Sequence, residues 1–136
     1  MAKMKKPKTE VTFKIDKLPV TENSAVRMTA RGGYKTKLFR QWERAVVEQL
    51  EDKIIAISPE YGVEIIFSYP LKFKNGNLKH KDAHNMIKYA IDTILAHKLL
   101  DSKNNRIDDS VISEGSWARL DSDKDGLEIT FYTIGR

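Results

Sequence analysis

At 136 residues with no cysteine, the chain is long enough to bury one core and excludes disulfides, zinc–thiolate centres and cysteine nucleophiles. Its 24 Lys and Arg against 19 Asp and Glu leave a net charge of +5, which favours an anionic partner such as nucleic acid. No apolar run approaches the roughly 18 residues of a membrane span, and the missing cysteines fit a cytoplasmic protein.

Residues 1–9 are expected to be a flexible basic tail, with four lysines between Met1 and Lys8 and no apolar segment after them. That pattern is not a secretory signal. Residues 10–136 then form one domain. Val11, Phe13 and Ile15 alternate with polar residues and predict a first strand. The segment from Asp16 to Lys35 shows no period and holds Pro19 and the turn signal Gly32-Gly33. Such a length points either to function or to a mobile surface loop. In the functional case Arg27, Arg31 and Lys35 meet a phosphate backbone.

Thr36 is placed to cap a helix running to about Ile54. Phe39, Trp42, Val46 and Leu50 recur at helical spacing and should face the core. Lys37, Arg40 and Arg44 form a stripe on another side, either a solvated face or a DNA contact. Val63, Ile65, Phe67 and Tyr69 predict a second strand that Pro70 ends. A basic loop follows, with Lys72, Lys74, Lys79 and Lys81 around Asn75-Gly76 and no acidic residue.

That loop leads to Asp82 and a second helix over Ala83 to Lys98. Ala90, Ile94 and Leu95, with Ile87 and Ile91, should be its buried stripe. Asn85, Lys88 and Asp92 share a different face. A polar turn spans 101–109, and Val111–Leu120 with Leu127–Ile134 predict an antiparallel hairpin joined by 121–126. The order is β-α-β-α-β-β, an α+β chain.

Several motifs have plain structural explanations. The Asp-x-Asp-x-Asp-Gly at 121–126 is half of a calcium-loop signature, but its twelfth position is Tyr132 and strands flank it. It predicts a polar turn. His80 and His97 have no partner at ligand spacing and should lie on the surface. Asp82 is also a favoured helix cap, and Lys88 with Asp92 also fits a surface ion pair. Taken together, Asp82, Lys88 and the adjacent Asp108 and Asp109 could converge on one divalent cation, beside lysines that hold a phosphodiester.

The run Asp82-Ala83-His84-Asn85, then Lys88, then Asp92, then Asp108-Asp109-Ser110-Val111-Ile112, resembles the RusA family of Holliday-junction resolvases. That family carries Asp-x-Asp-Asn-x-x-Lys-x-x-x-Asp on a helix and Asp-Asp-Ser-x-Ile entering a strand. Pro19, Asn23, Arg27 and Tyr34-Lys35-Thr36 add a weaker likeness, so the resemblance covers nearly the whole chain after the tail.

The resemblance implies a homodimer with a small mixed sheet packed by two main helices. It also implies a Mg²⁺-dependent endonuclease that cuts four-way DNA junctions by paired symmetric nicks, in a bacterial, phage or prophage setting. By position Asp82, Lys88 and Asp109 would be catalytic, with Asp82, Asp108 and Asp109 on the metal and Asn85 and Asp92 in support. Two features depart from the family. His84 stands where it has a second aspartate, and an imidazole there suits Mn²⁺ or another transition metal better than Mg²⁺. The stretch between Asp92 and Asp108 is also longer than the family's. These departures define two alternatives: a catalytically silent binder of branched DNA, or an interaction protein that keeps only the fold.

Overall fold

Three segments that alternate apolar and polar residues become the strands that build the core. The computed structural model describes residues 8–20, 26–29, 32–78, 81 and 83–135, with backbone alone at 26–29 and 32–35. β1 (Glu10–Ile15), β5 (Glu60–Tyr69) and β8 (Gly126–Ile134) carry the alternation. Val11, Phe13 and Ile15, then Val63, Ile65, Phe67 and Tyr69, then Leu127, Ile129 and Phe131, are all buried. A period of two places each set on one face of a common sheet. Two helices cover that face: α1 (Lys37–Gln49) and α2 (Ala83–His97).

The sheet is mixed, in the order β1-β8-β5-β7, where β7 is Ile112–Asp121. β8 runs antiparallel to both β1 and β5, whereas β7 runs parallel to β5. The predicted β7–β8 hairpin therefore does not form, because β5 lies between the two strands. The reason is the apolar pattern. β8 and β5 both present continuous apolar faces and occupy central positions, while the inward face of β7 offers only Ile112 and Trp117 among Gly115, Arg119 and Asp121. β7 goes to the edge. The turn at 121–126 then has to cross roughly 10 Å, two strand spacings. It does so over the end of β5, with Ser122 N–H donating to Tyr69 O at 3.1 Å and Leu71 N–H to Asp121 Oδ1 at 3.0 Å.

Four further short strands were not legible. β2 (Val26–Thr29) and β3 (Gly32–Lys35) pair antiparallel inside the segment expected to be irregular. β4 (Lys53–Ile55) and β6 (Leu99–Asp101) pair in parallel, with Ile55 and Leu99 fully buried. This pair also stops α1 at Gln49 rather than near Ile54. Leu50 is extended at φ −102°, ψ 143°, and Lys53 N–H donates to Lys98 O at 2.8 Å. Thr36 caps α1 as expected, its hydroxyl accepting from Phe39 N–H at 3.3 Å. Lys8 and Thr9 carbonyls accept from Ala56 and Thr133, so the backbone is tied down from Lys8, and the rest of the expected tail lies outside the described residues. Among the described residues no helix is long and apolar enough to cross a membrane.

Candidate active site

α2 is fixed by its inner face, and that decides what its outer face presents. Met86, Tyr89, Ala90, Thr93 and Ile94 are buried. The Tyr89 ring meets Phe39 edge-on at 5.6 Å, Trp42 Nε1–H donates to Thr93 Oγ1 at 3.0 Å, and His97 Nε2 lies 3.0 Å from Glu43 Oε2. His97, expected on the surface with no partner at ligand spacing, thus joins the two helices. These contacts climb in step along both helices, so α1 and α2 run side by side in the same direction. Ile87 and Ile91, expected in the buried stripe, are only half-buried because the stripe is rotated toward α1.

The rotation leaves His84 and Lys88 exposed and Asn85 and Asp92 half-buried. His84, Lys88 and Asp92 are spaced by four and form one row. At 1.5 Å per residue, His84 lies roughly 12 Å along the axis from Asp92.

Asp109 comes to the Asp92 end of this row. The chain enters β7 through a 3₁₀ turn at Asp109–Val111 capped by Asp108, whose Oδ1 accepts from Ser110 N–H at 2.8 Å. Hydrogen bonds from the Ser110 backbone, then from its side chain and Asp109, hold the Asp108 carboxyl below its ordinary value. Asp108 is thus engaged as a cap, whereas Asp109 next to it faces Asp92. Burial, and then the Asp109 carboxylate, push the Asp92 carboxyl upward, and the Lys88 ammonium draws it partly back. Asp92, Asp108, Asp109 and Arg106 wall a shallow pocket of about 260 Å³, with Leu95 and Ile107 also lining it. Arg106 had no signal in the sequence beyond its place in a polar turn.

No family model and no curated protein matches the chain. Among the described residues no three His, Asp or Glu side chains are grouped so as to hold a metal ion. Asp82 lies outside the described residues, as do Arg31, Lys79 and His80 and the side chains of Arg27 and Lys35. The group brought together is Asp92, Asp109 and Lys88.

The remaining cations of the expected DNA surface are accessible. Lys37, Arg40 and Arg44 are exposed along α1, and Lys72 and Lys74 are exposed in the loop after β5. Lys81 is half-buried with its ammonium 5.5 Å from the centroid of the Tyr69 ring, and its carbonyl accepts from Arg119 Nη2 at 2.9 Å. Because the helices are parallel, the α1 stripe begins at the same end of the molecule as α2.

The raised Asp92 pKa has a consequence for stability. The folded chain holds this proton more tightly than the unfolded chain, so the group's favourable contribution is present below its ordinary value of 3.8 and is lost as pH rises through the folded value. Asp92→Asn is therefore expected to stabilise the fold at pH 7, by no more than about 1 kcal/mol because solvent screens the carboxylate. The gain should disappear near pH 3. Thermal unfolding of both chains at the two pH values measures it. A destabilised variant at pH 7 would mean that the charge makes a favourable contact.

Proposed function

We propose that the chain is a metal-dependent endonuclease acting on four-way DNA junctions, similar to the RusA resolvases, and that it works as a homodimer whose symmetry gives paired nicks. The observation that carries this reading is that Asp92 and Asp109 line one pocket, with Lys88 one turn before Asp92 on the open face of α2. Two carboxylates that oppose each other's charge are relieved by a bound cation, and oxygen donors suit Mg²⁺ or Mn²⁺.

In this reading Asp109 and Asp82 hold the ion, His84 substitutes for a carboxylate, and Asp92 completes the negative wall that faces Asp109. A bound ion supplies Lewis acidity and a water of lowered pKa. Lys88 donates to a non-bridging phosphate oxygen and offsets the charge that grows there as the phosphodiester is attacked. Lys37, Arg40, Arg44, Lys72, Lys74 and Lys81 hold the backbone of the arms, with Arg27, Arg31, Lys35 and Lys79 in the same role.

One observation favours a second reading, a junction binder that no longer cuts. Among the described residues no three His, Asp or Glu side chains are grouped so as to hold a metal ion, and His84 sits about two turns from Asp92. Cleavage of a synthetic four-way junction with Mg²⁺ and separately Mn²⁺ separates the two. Symmetric nicking by the native chain, lost in Asp82→Asn, is the expected result. Tight, salt-sensitive binding with cutting only in His84→Asp would establish the silent binder. Absence of junction binding in both forms would sink both readings.

A further inference from the structure

The chain between β5 and α2 folds back on itself at Asn75-Gly76, a pair suited to turns. Gly76 takes φ +87°, a left-handed value that favours glycine. Its N–H donates to Phe73 O at 2.9 Å, and Phe73 N–H donates to Asn77 O at 2.8 Å. Asn77 N–H in turn donates to Asn75 Oδ1 at 3.0 Å. Lys72 and Leu78 form an antiparallel bridge behind these bonds. The result is a small, well-bonded hairpin in which Phe73 stands opposite Asn77. Alternation then sends the side chains of Phe73 and Leu78 to opposite faces of it.

Phe73 is 53% exposed on this hairpin. A lone exposed apolar side chain is ordinary. Its setting is not. Lys72 and Lys74 flank it, both exposed, and residues 71–81 contain four lysines and no carboxylate. Asp121 stands at the base of the hairpin, where its Oδ1 accepts from Leu71 N–H at 3.0 Å. Lys81, which leads the chain into α2, lines one pocket with Lys17, with Asp125 and with Leu38 and Gln41 of α1. The hairpin therefore belongs to the end of the molecule at which both helices and the α1 basic stripe begin.

We propose that Phe73 reads the branch point of the DNA: its ring stacks on a nucleobase whose face lies open where the arms meet, while Lys72 and Lys74 hold phosphates beside it. This rests on the reading of the chain as a ligand of branched DNA, and it adds a residue that neither the metal site nor the cation surface includes. A partner for this hairpin has to answer a flat apolar ring and two cations at once. A single nucleotide does so, with a π face and a phosphate. An acidic peptide would answer the lysines and leave the ring bare. Within a linear duplex every base face is covered by its neighbour, and parting two of them costs at least as much as one new aromatic contact contributes. Where four arms diverge the stack is already interrupted, so the ring gains a partner without breaking one. Preference for a branch then resides in Phe73, and affinity for any DNA in the lysines.

The test measures binding rather than cutting. Native chain and variants are titrated in EDTA, at one salt concentration, against a synthetic four-way junction and against a linear duplex of the same arm sequence. Phe73→Ala should weaken junction binding roughly 5- to 100-fold and duplex binding by less than about 2-fold. Phe73→Trp should keep the preference because a ring remains. Phe73→Leu should lose it, although most of the apolar volume is retained. Lys74→Ala should weaken both substrates by a similar factor. Thermal unfolding of each variant checks that the fold is intact, as expected for an exposed ring at a turn. An unchanged junction-to-duplex ratio in Phe73→Ala, with native junction binding intact, overturns the inference and leaves the nuclease reading standing. So does full preference in Phe73→Leu, which would make the contact apolar packing rather than stacking. A native chain that binds no junction overturns both.

Discussion

Asp109→Asn is expected to lower junction cleavage by a factor on the order of 10²–10³ while leaving the fold as stable as before, or slightly more so. Both halves follow from the carboxylate pair. Asp109 is exposed at a 3₁₀ turn, interacts with the neighbouring Asp108 carboxyl, and raises the Asp92 pKa by like-charge repulsion. Removing its charge relieves Asp92 and removes half of the acidic pair available to a cation. The two effects have opposite signs, which makes the experiment informative. A variant that cuts less because it is partly unfolded would show a lower melting temperature together with the lost rate. A variant that cuts less at an unchanged or higher melting temperature has lost a ligand. Asp108→Asn provides the contrast. Its carboxylate holds Ser110 N–H, and asparagine can keep that bond, so both readouts should change little. Full cleavage by Asp109→Asn would remove this residue from the chemistry and leave the role to Asp108 or to residues elsewhere.

Much of the frame was legible, and the failures have physical causes. Long strands with unbroken alternation, such as Val63 to Tyr69, carry their burial in their period. Thr36 announced its helix because a hydroxyl before an apolar helical pattern has one obvious use. β4 and β6 were missed since three residues are too few to show a period of two, and their pairing depends on contacts across more than 40 positions. The false hairpin came from reading adjacency in sequence as adjacency in space. The longer turn at 121–126 and the poor apolar face of β7 were the signals against it. At the site, the helical spacing put Lys88 and Asp92 on one row correctly. Which end of that row Asp109 meets is set by β6 and the turn after it, and no spacing rule could supply that.

Trp42→Ala should cost roughly 3–5 kcal/mol, the largest loss of any single truncation in this fold. Trp42 is the largest fully buried side chain, and its indole binds α1 to α2 through Thr93. Deleting it leaves a cavity that the flanking strands cannot close, since Phe13, Phe67 and Phe131 are already fixed in the sheet's inner face. The freed Thr93 hydroxyl adds little to the penalty, because threonine inside a helix can turn to a carbonyl of the preceding turn. Against a total stability of about 5–15 kcal/mol, such a loss should leave a folded chain with a much lower urea midpoint. Trp42→Phe should recover most of it. The loss also bears on DNA. Lys37, Arg40 and Arg44 lie on the opposite side of the same helix, so a loosened α1 carries the basic stripe with it. Junction affinity should fall in Trp42→Ala even at urea-free conditions where far-UV circular dichroism is native, although Trp42 touches no solvent. A penalty below about 1 kcal/mol, measured by urea unfolding, would mean that α1 is not held through this side chain, and the stripe's orientation would have to be reassigned.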